Sequence, residues 1–272
     1  MKLDLNDPDI TCARDSHGVV GPERVQLDGD DNLLEGTSFE ADGYTVAPFL
    51  AADEWLRLEQ GARGMLRELL LNAGAEVPEN FRLEDYHRYV ADDRQKHLRV
   101  VRPLAAGLPV ERLNIDPGLI VARIGELVGK GLTLAEPPGG KEVFCMRAVR
   151  PQSGDNNPLH RDTWLAHLRN AVNLYVPLAG SNERSSLAVV PGSHHWSESE
   201  TKRTPGGAEI DGIKFSVPSL VAASRSVHAI RPDPGENEVL VFSPYVLHGG
   251  ATNLNPDTTR VSLEIRLWRA GG

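Results

Sequence analysis

The spacing of apolar positions changes near residue 140. In residues 51–72 apolar side chains recur at near-helical intervals, which predicts an α-helix that ends at Gly74. A second helix is predicted over Asp116–Gly129, and a short strand around Tyr44–Val46. Residues 1–36 are rich in Asp and Gly and show no sustained period. We therefore expect a polar, loosely held N-terminal lead-in (1–36) and one domain over residues 37–272.

From Glu142 onward, short runs of strand-forming residues alternate with Pro, Gly and Asn clusters, which is typical of a mainly β domain. These runs are Glu142–Val149, Ala171–Leu178, Ser186–Val190, Ile213–Val217, Glu238–Phe242 and Arg260–Trp268. The last run places Arg260, Ser262, Glu264 and Arg266 on one face and only apolar residues on the other. This alternation predicts a strand with an apolar face under helices and a polar face lining a cavity, as in a small barrel or jelly roll.

Composition narrows the function. The 272 residues carry a net charge of −9, which argues against nucleic acid as a partner. The two cysteines, Cys12 and Cys145, are too few for a disulfide framework or a zinc knuckle. No apolar run approaches the roughly 18 residues of a membrane span, and the N-terminus lacks the apolar stretch of a signal peptide. We expect a cytoplasmic protein with a small-molecule substrate; its oligomeric state stays open.

A metal site is indicated by the segment NPLHRDTW at residues 157–164. His160 and Asp162 are two positions apart, so both point to the same side of an extended chain. A second histidine would complete the two-histidine, one-carboxylate triad that suits iron(II) and leaves positions open for co-substrate and dioxygen. The alternative is a loop histidine beside a solvated aspartate.

The C-terminal stretch favours the metal interpretation. His248 ends an apolar run and is followed by two glycines, which allow close backbone approach. Arg260 opens the next strand twelve residues later, and a hairpin would bring its guanidinium into the same cavity, where its planar fork suits the far carboxylate of 2-oxoglutarate. Ser262 faces the same way. The alternative is an outward Arg260 in a surface ion pair.

Four stretches together resemble the phytanoyl-CoA dioxygenase family of Fe(II)/2-oxoglutarate-dependent oxygenases: 39–51 with DGYTVAPFL, LHRDTW, SSLAVVPGSH, and VLVFSPYVLHGGATN followed by TTRVSLEIRL. The resemblance implies a double-stranded β-helix (cupin-like jelly roll) with helices against one sheet. It also implies His160, Asp162 and His248 as iron ligands and Arg260 as the anchor of 2-oxoglutarate. Gly250 stands where relatives often have a hydroxyl residue, and we expect Asn173 (or Tyr175) to supply the missing co-substrate contact.

Other residues carry weaker hypotheses. Trp164 either lines the substrate pocket or packs beneath the metal loop, and Arg147, like Arg150, either binds an anion or lies on the surface. His194 and His195 are expected to finish a turn. The run Arg82–Arg102 mixes both charge signs and predicts a solvated face or a segment bordering the active-site mouth.

The function predicted from these features is oxidation, most simply hydroxylation, of a C–H bond in a small polar metabolite or natural-product intermediate, using Fe(II), 2-oxoglutarate and dioxygen. The intact Asp162 argues against a halogenase, whereas desaturation, cyclisation and ketone formation stay open. Two alternatives remain. One is a jelly-roll isomerase or hydrolase with another divalent metal, and the other is a non-catalytic binding module.

Overall fold

The structure is a computed structural model that describes residues 1–14, 17–22, 24–136, 140–154, 157–210 and 212–271. In these residues four α-helices precede or flank the sheets. They are α1 (Ala52–Asn72), α2 (Tyr86–Val90), α3 (Arg94–Ala105) and α4 (Pro117–Val128). The two predicted helices, α1 and α4, are confirmed. The Asp116 side chain accepts from Gly118 N at the start of α4, and Gly129 ends it with a left-handed backbone. Among the described residues, no helix combines the length and apolar character needed to span a bilayer.

The helix α3 was not predicted, since it lies at the end of the mixed-charge run Arg82–Arg102 and itself carries four basic residues and few apolar ones. Its first turn is capped by the Asp93 side chain, which accepts from Lys96 N at 2.8 Å. Only His97, Val100 and Leu104 are buried, at helical spacing, and they pack the helix toward the sheet. The apolar stripe is therefore narrow, and tertiary packing decides that this charged segment is helical.

The described residues contain thirteen strands, ten of them in the predicted β-rich part after residue 141. In chain order they are β1 (Tyr44–Pro48), β2 (Leu108–Pro109), β3 (Leu132–Thr133), β4 (Val143–Val149), β5 (Ala171–Ala179), β6 (Ala188–Val189), β7 (Thr201–Arg203), β8 (Ala208–Ile210), β9 (Ile213–Phe215), β10 (Leu220–Ala223), β11 (Glu238–Phe242), β12 (His248–Gly249) and β13 (Arg260–Arg269). The larger sheet has the antiparallel order β1-β11-β5-β13-β4-β2, with β3 pairing the end of β13.

The other strands form three two-stranded sheets, and the two that contain β10 and β12 are linked through residues 159–160 into a layer that we call the smaller sheet. β10 pairs with β7, β12 pairs with β6, and β8 pairs with β9. Leu220 N donates to Leu159 O, and the His160↔His248 bridge then joins this chain segment to β12. The smaller sheet therefore places the predicted metal-binding segment between β10 and β12.

The two faces of the larger sheet have different roles, as the alternation in the last strand predicted. Its outer face packs against the helices in the main apolar core, which includes Leu58, Leu66, Ile124, Leu263 and Ile265. Its inner face turns toward the smaller sheet. Antiparallel sheets stacked in this way, with helices against one of them, form the jelly-roll core, and the predicted fold class is confirmed.

Within the described part of the N-terminal segment, residues 2–11 are bound to the domain, which a loose lead-in would not be. Lys2, Leu5 and Ile10 form β-bridges to residues of the smaller-sheet side, and Leu159 N donates to Thr11 O at 2.8 Å. Ile10 is also 3% exposed and joins an apolar cluster there. These contacts tie the N-terminal segment to the loop that precedes His160. The domain boundary at residue 36 stays a prediction.

Candidate metal centre

The backbone sets the orientation of both histidines. His160 and His248 lie opposite each other and exchange two backbone hydrogen bonds of 2.8 Å. The Nδ1–H group of His160 donates to Pro158 O (2.7 Å), and that of His248 donates to Val246 O (2.9 Å). A carbonyl oxygen only accepts, so these contacts assign the proton to Nδ1 and leave each Nε2 lone pair free for a ligand.

The two Nε2 atoms converge on one carboxylate oxygen. Asp162 Oδ1 lies 3.2 Å from Nε2 of His160 and 3.6 Å from Nε2 of His248. One potential ligand atom from each of the three side chains falls within 4.8 Å of the others, and all three side chains are buried. Two imidazoles and one carboxylate are the donor set preferred by a mononuclear iron(II) site with open coordination positions. The residues therefore fit such an ion.

Electrostatics keep these ligands in their metal-binding forms. Burial lowers the pKa of His160, and the neighbouring His248 lowers it further, so the imidazole stays neutral near pH 7. Burial raises the pKa of Asp162, but the charge of Arg266 outweighs it and holds that pKa well below its usual value. The carboxylate is thus ionised in the site.

The second oxygen of Asp162 is held by other side chains. Asn173 Nδ2 donates to Oδ2 at 3.0 Å, and Arg266 donates from Nη2 at 3.0 Å and from Nε at 3.2 Å. Three donors on Oδ2 orient the carboxylate so that Oδ1 points at the histidines. The alternation of β13 predicted that Arg266 faces the cavity, but its contact with Asp162 was not predicted.

A small cavity of about 30 Å³ adjoins the group, and we call it the inner cavity. His160, Asn173, His248 and Arg266 line it, together with apolar Phe242 and Leu187.

Arg147 and Glu264 form a bidentate ion pair at the wall of the inner cavity. Arg147 Nε and Nη2 donate to the two carboxylate oxygens at 3.0 and 2.9 Å. Burial raises the pKa of Glu264, but the Arg147 charge overcomes this and lowers the pKa to about 2. Glu264 also raises the pKa of Arg147. The sequence predicted that Glu264 faces inward and left Arg147 between anion binding and a surface position, and only the structure shows that the two residues neutralise each other.

The sequence of this chain matches the model of the phytanoyl-CoA dioxygenase family over residues 39–262, which is most of its length. The chain belongs to the phytanoyl-CoA dioxygenase family. It is therefore an oxygenase, as predicted. The cofactor prediction of iron and 2-oxoglutarate is confirmed for the family, and the group of His160, Asp162 and His248 fits an iron site.

Several solved structures resemble this family member in fold. AviO1 from Streptomyces viridochromogenes Tue57 is 18% identical, with 86% of this chain and 93% of that chain covered and a TM-score of 0.49. EctD from S. alaskensis is 14% identical, with coverage of 96% and 88% and a TM-score of 0.48. The epimerase SnoN, in complex with Fe3+, alpha ketoglutarate and nogalamycin RO, is 16% identical, with coverage of 85% and 81% and a TM-score of 0.46. At these identities and TM-scores the similarity does not extend to the substrate. Among curated proteins, no sequence matches this chain.

Arg260, the expected anchor of 2-oxoglutarate, is buried behind the inner cavity of this phytanoyl-CoA dioxygenase family member. It is 1% exposed, and its Nη1 donates to Ser185 O at 3.1 Å. Its guanidinium carbon lies 5.6 Å from the centre of the Tyr175 ring, and Tyr175 itself lines the inner cavity. The surface-ion-pair alternative for Arg260 is therefore excluded by its burial.

Two other residues predicted to bind the co-substrate retain unused hydrogen-bonding atoms. The Ser262 hydroxyl is fully buried and has no hydrogen-bond partner among the described residues. Asn173 Oδ1 is also buried and has no hydrogen-bond partner among the described residues, whereas Nδ2 of the same side chain donates to Asp162. Buried polar atoms without partners are uncommon and favour a role toward a bound ligand.

Trp164, predicted either to line the substrate pocket or to pack beneath the metal loop, is not among the residues that line the inner cavity. Its Nε1–H donates to Glu198 Oε1 at 2.9 Å, and the guanidinium of Arg203 lies 5.2 Å from the ring centre. Glu198 also pairs with the buried Arg161, so Trp164 is tied to this ion pair, and its contact with substrate stays a prediction.

The remaining histidine pair forms a turn, as expected. His194 and His195 belong to a 3-10 turn, and the Nε2–H group of His194 donates to Glu40 O at 2.8 Å. Burial lowers the pKa of His194 to about 4. In the described residues only His160, Asp162 and His248 form a potential metal-binding group.

Proposed function

We propose that this oxygenase hydroxylates a C–H bond of a small polar metabolite or natural-product intermediate, with iron(II) held by His160, Asp162 and His248. The observation that carries this proposal is the convergence of two Nε2 atoms and one carboxylate oxygen in a buried site of the family's fold. When bound, iron with 2-oxoglutarate and dioxygen supplies the oxidising power, and succinate and carbon dioxide are released beside the alcohol.

The chain's own residues prepare the site. The two backbone carbonyls hold both histidines in the Nδ1–H form, so each Nε2 is ready to bind without rearrangement. Arg266 and Asn173 hold Asp162 Oδ2 and keep Oδ1 directed at the metal position. The apolar wall at Phe242 and Leu187 limits water around the reacting carbon.

Arg260 is assigned to the far carboxylate of 2-oxoglutarate. Its burial next to Tyr175, a wall residue of the inner cavity, supports this role, because a buried guanidinium gains most from an anionic partner. Ser262 Oγ and Asn173 Oδ1 are proposed as further contacts of the co-substrate, since both are buried atoms with hydrogen-bonding capacity to spare among the described residues. Arg147 is proposed to contact the substrate from the cavity wall.

The test of the cofactor assignment is an anaerobic titration of the apo-protein with iron(II) and 2-oxoglutarate, followed by their weak visible absorption band. We expect the band only with both components, and its loss in His248→Ala and Arg260→Ala. Matched controls are His195→Ala, an exposed histidine, and Arg24→Ala, whose side chain is 77% exposed. A wild-type protein with neither the band nor tight iron binding would refute the proposal.

The reaction type is tested separately, once a substrate is found by substrate-dependent succinate release. Turnover under ¹⁸O₂ should place one labelled oxygen in the product alcohol and one in succinate. A product without label, formed together with labelled succinate, would point to desaturation or epimerisation and would contradict hydroxylation.

A further inference from the structure

A second, larger cavity adjoins the metal centre. This outer cavity has a volume of about 440 Å³ and lies between α3, β4 and β9. Arg147 and Asn157 line both the outer and the inner cavity, so the two are neighbours across these residues. The volume falls within the range of small-molecule sites in proteins.

The helix α3 gives the outer cavity a positive charge. Arg94 and Arg102 line it, both are exposed, and no ion pair involves either within the described part of the chain. They are eight positions apart, so they lie on the same face of α3, about two turns from each other. None of the described lining residues is an aspartate or a glutamate, although the protein as a whole carries a net charge of −9. The positive lining is thus a local feature, opposite in sign to the rest of the surface.

Apolar side chains fill the space between these arginines. Leu98 and Val101 lie between Arg94 and Arg102 on the same face of α3, and Phe215 of β9 also lines the cavity. A site with cationic groups above an apolar wall matches a molecule that has an anionic group and an apolar body.

Arg147 lies at the junction of the two cavities. Its Nε and Nη2 are used by Glu264, whereas no described residue accepts from its Nη1. Because Glu264 neutralises Arg147, the pair presents polar groups without excess charge at the junction. Arg150 also lines the outer cavity, but Arg94 and Arg102 are the exposed lining arginines for which no ion pair is found among the described residues, and neither lines the inner cavity.

We infer that the outer cavity binds the substrate and that the substrate is a small organic anion with an apolar body. Arg94 and Arg102 attract its carboxylate or phosphate group, Leu98, Val101 and Phe215 contact its body, and the end that passes Arg147 reaches the metal centre. Naming this ligand as the substrate rests on the proposed function, whereas the binding of such an anion does not.

The test uses two fluorescent probes of nearly the same shape. One is 1-anilinonaphthalene-8-sulfonate, which is anionic, and the other is N-phenyl-1-naphthylamine, which lacks the sulfonate. In Arg94→Gln/Arg102→Gln we expect the anionic probe to bind about fivefold more weakly at low salt, from two partly screened charge contacts, while the neutral probe is unaffected. The loss should shrink in 0.5 M salt. Lys96→Gln, which removes a positive charge from α3 outside the cavity lining, is the matched control and should change binding less than twofold.

A cavity-filling variant locates the probes. Ala105→Trp introduces bulk at an exposed position of the cavity wall without changing charge, and it should weaken both probes. Unchanged binding in Ala105→Trp, or equal affinity of the anionic probe for wild type and the double arginine variant, would overturn the inference. Thermal unfolding of each variant shows that its fold is retained.

Displacement of the anionic probe distinguishes the type of anion. Naphthalene-1-acetate and 1-naphthyl phosphate should both displace it at lower concentration than neutral 1-naphthylmethanol, and the stronger of the two identifies the preferred group. Equal displacement by the neutral compound would contradict the inference. The iron and 2-oxoglutarate band of the wild type is an independent readout: its absence refutes the proposed function alone, and a negative probe result with the band present refutes this inference alone.

Discussion

Replacing Glu264 by glutamine is expected to destabilise the protein, because it removes the charge that Arg147 needs on the cavity wall. Arg147 and Glu264 are only 22% and 25% exposed at their side chains, and they share two hydrogen bonds. Leaving a largely buried guanidinium without its carboxylate is costly. The amide of the variant keeps one neutral hydrogen bond, so packing changes little.

The magnitude follows from the pKa of Glu264, which the Arg147 charge lowers from 4.5 to about 2 despite the opposing effect of burial. At about 1.4 kcal/mol for each tenfold change in proton affinity, the ionised carboxylate contributes about 3 kcal/mol to the free energy of unfolding. Partial exposure and the retained hydrogen bond reduce the expected loss in Glu264→Gln to about 2 kcal/mol at pH 7.

The pH dependence has a definite sign. Since the folded-state pKa is depressed, the contribution is fully present above pH 4.5 and is lost as the pH falls toward 2. The difference between wild type and Glu264→Gln should therefore shrink by about 1 kcal/mol between pH 7 and pH 3.5.

Equilibrium unfolding of the apo-protein in urea, at both pH values, measures this difference. Arg147→Gln and the double variant complete a mutant cycle, in which we expect a coupling energy of about 2 kcal/mol. A coupling near zero, or a difference that grows as the pH falls, would refute the reasoning.

Two further changes test the support of the metal ligands. Arg266→Gln removes two donors from Asp162 Oδ2, and we expect iron(II) affinity to fall by about 10- to 100-fold in an anaerobic competition with a chromophoric chelator; an unchanged affinity would contradict the orienting role. Gly249→Ala places a methyl group 2.6 Å from Pro158 O and 2.7 Å from Leu159 Cα, which should cost about 1–3 kcal/mol of unfolding free energy. Its control is Gly64→Ala in α1, where no atom lies within 4 Å and a gain of about 0.5–1 kcal/mol is expected; equal effects at both glycines would contradict the steric argument.

The sequence by itself determined the elements with a strong local period. The strand β11 has the predicted bounds, α1 begins one residue later than predicted, and α4 is one residue shorter at each end. The alternation of Arg260–Trp268 correctly assigned the two faces of β13. Side-chain direction in helices and strands depends mainly on local backbone geometry, which is why these predictions are confirmed.

The candidate metal triad could also be predicted from the sequence. The extended backbone at Arg161 lets His160 and Asp162 converge, although Asp162 begins a short 3-10 helix. The glycines after His248 indicate close approach, which the contact of Gly249 with Leu159 shows. The family resemblance then related the distant histidine to the first two ligands. The sequence alone did not reveal which side chains orient them.

The tertiary structure determines which residues the inward-facing side chains of β13 pair with. Glu264 and Arg266 both face inward, yet one pairs with Arg147 on β4 and the other with Asp162, because the register places Ser262 opposite Arg147 and Arg266 opposite Asn173. The helicity of α3 and its position over the outer cavity were likewise outside local prediction. Local sequence determines which face a side chain occupies, whereas strand register and sheet stacking, set by contacts between residues far apart in the chain, determine what it meets there.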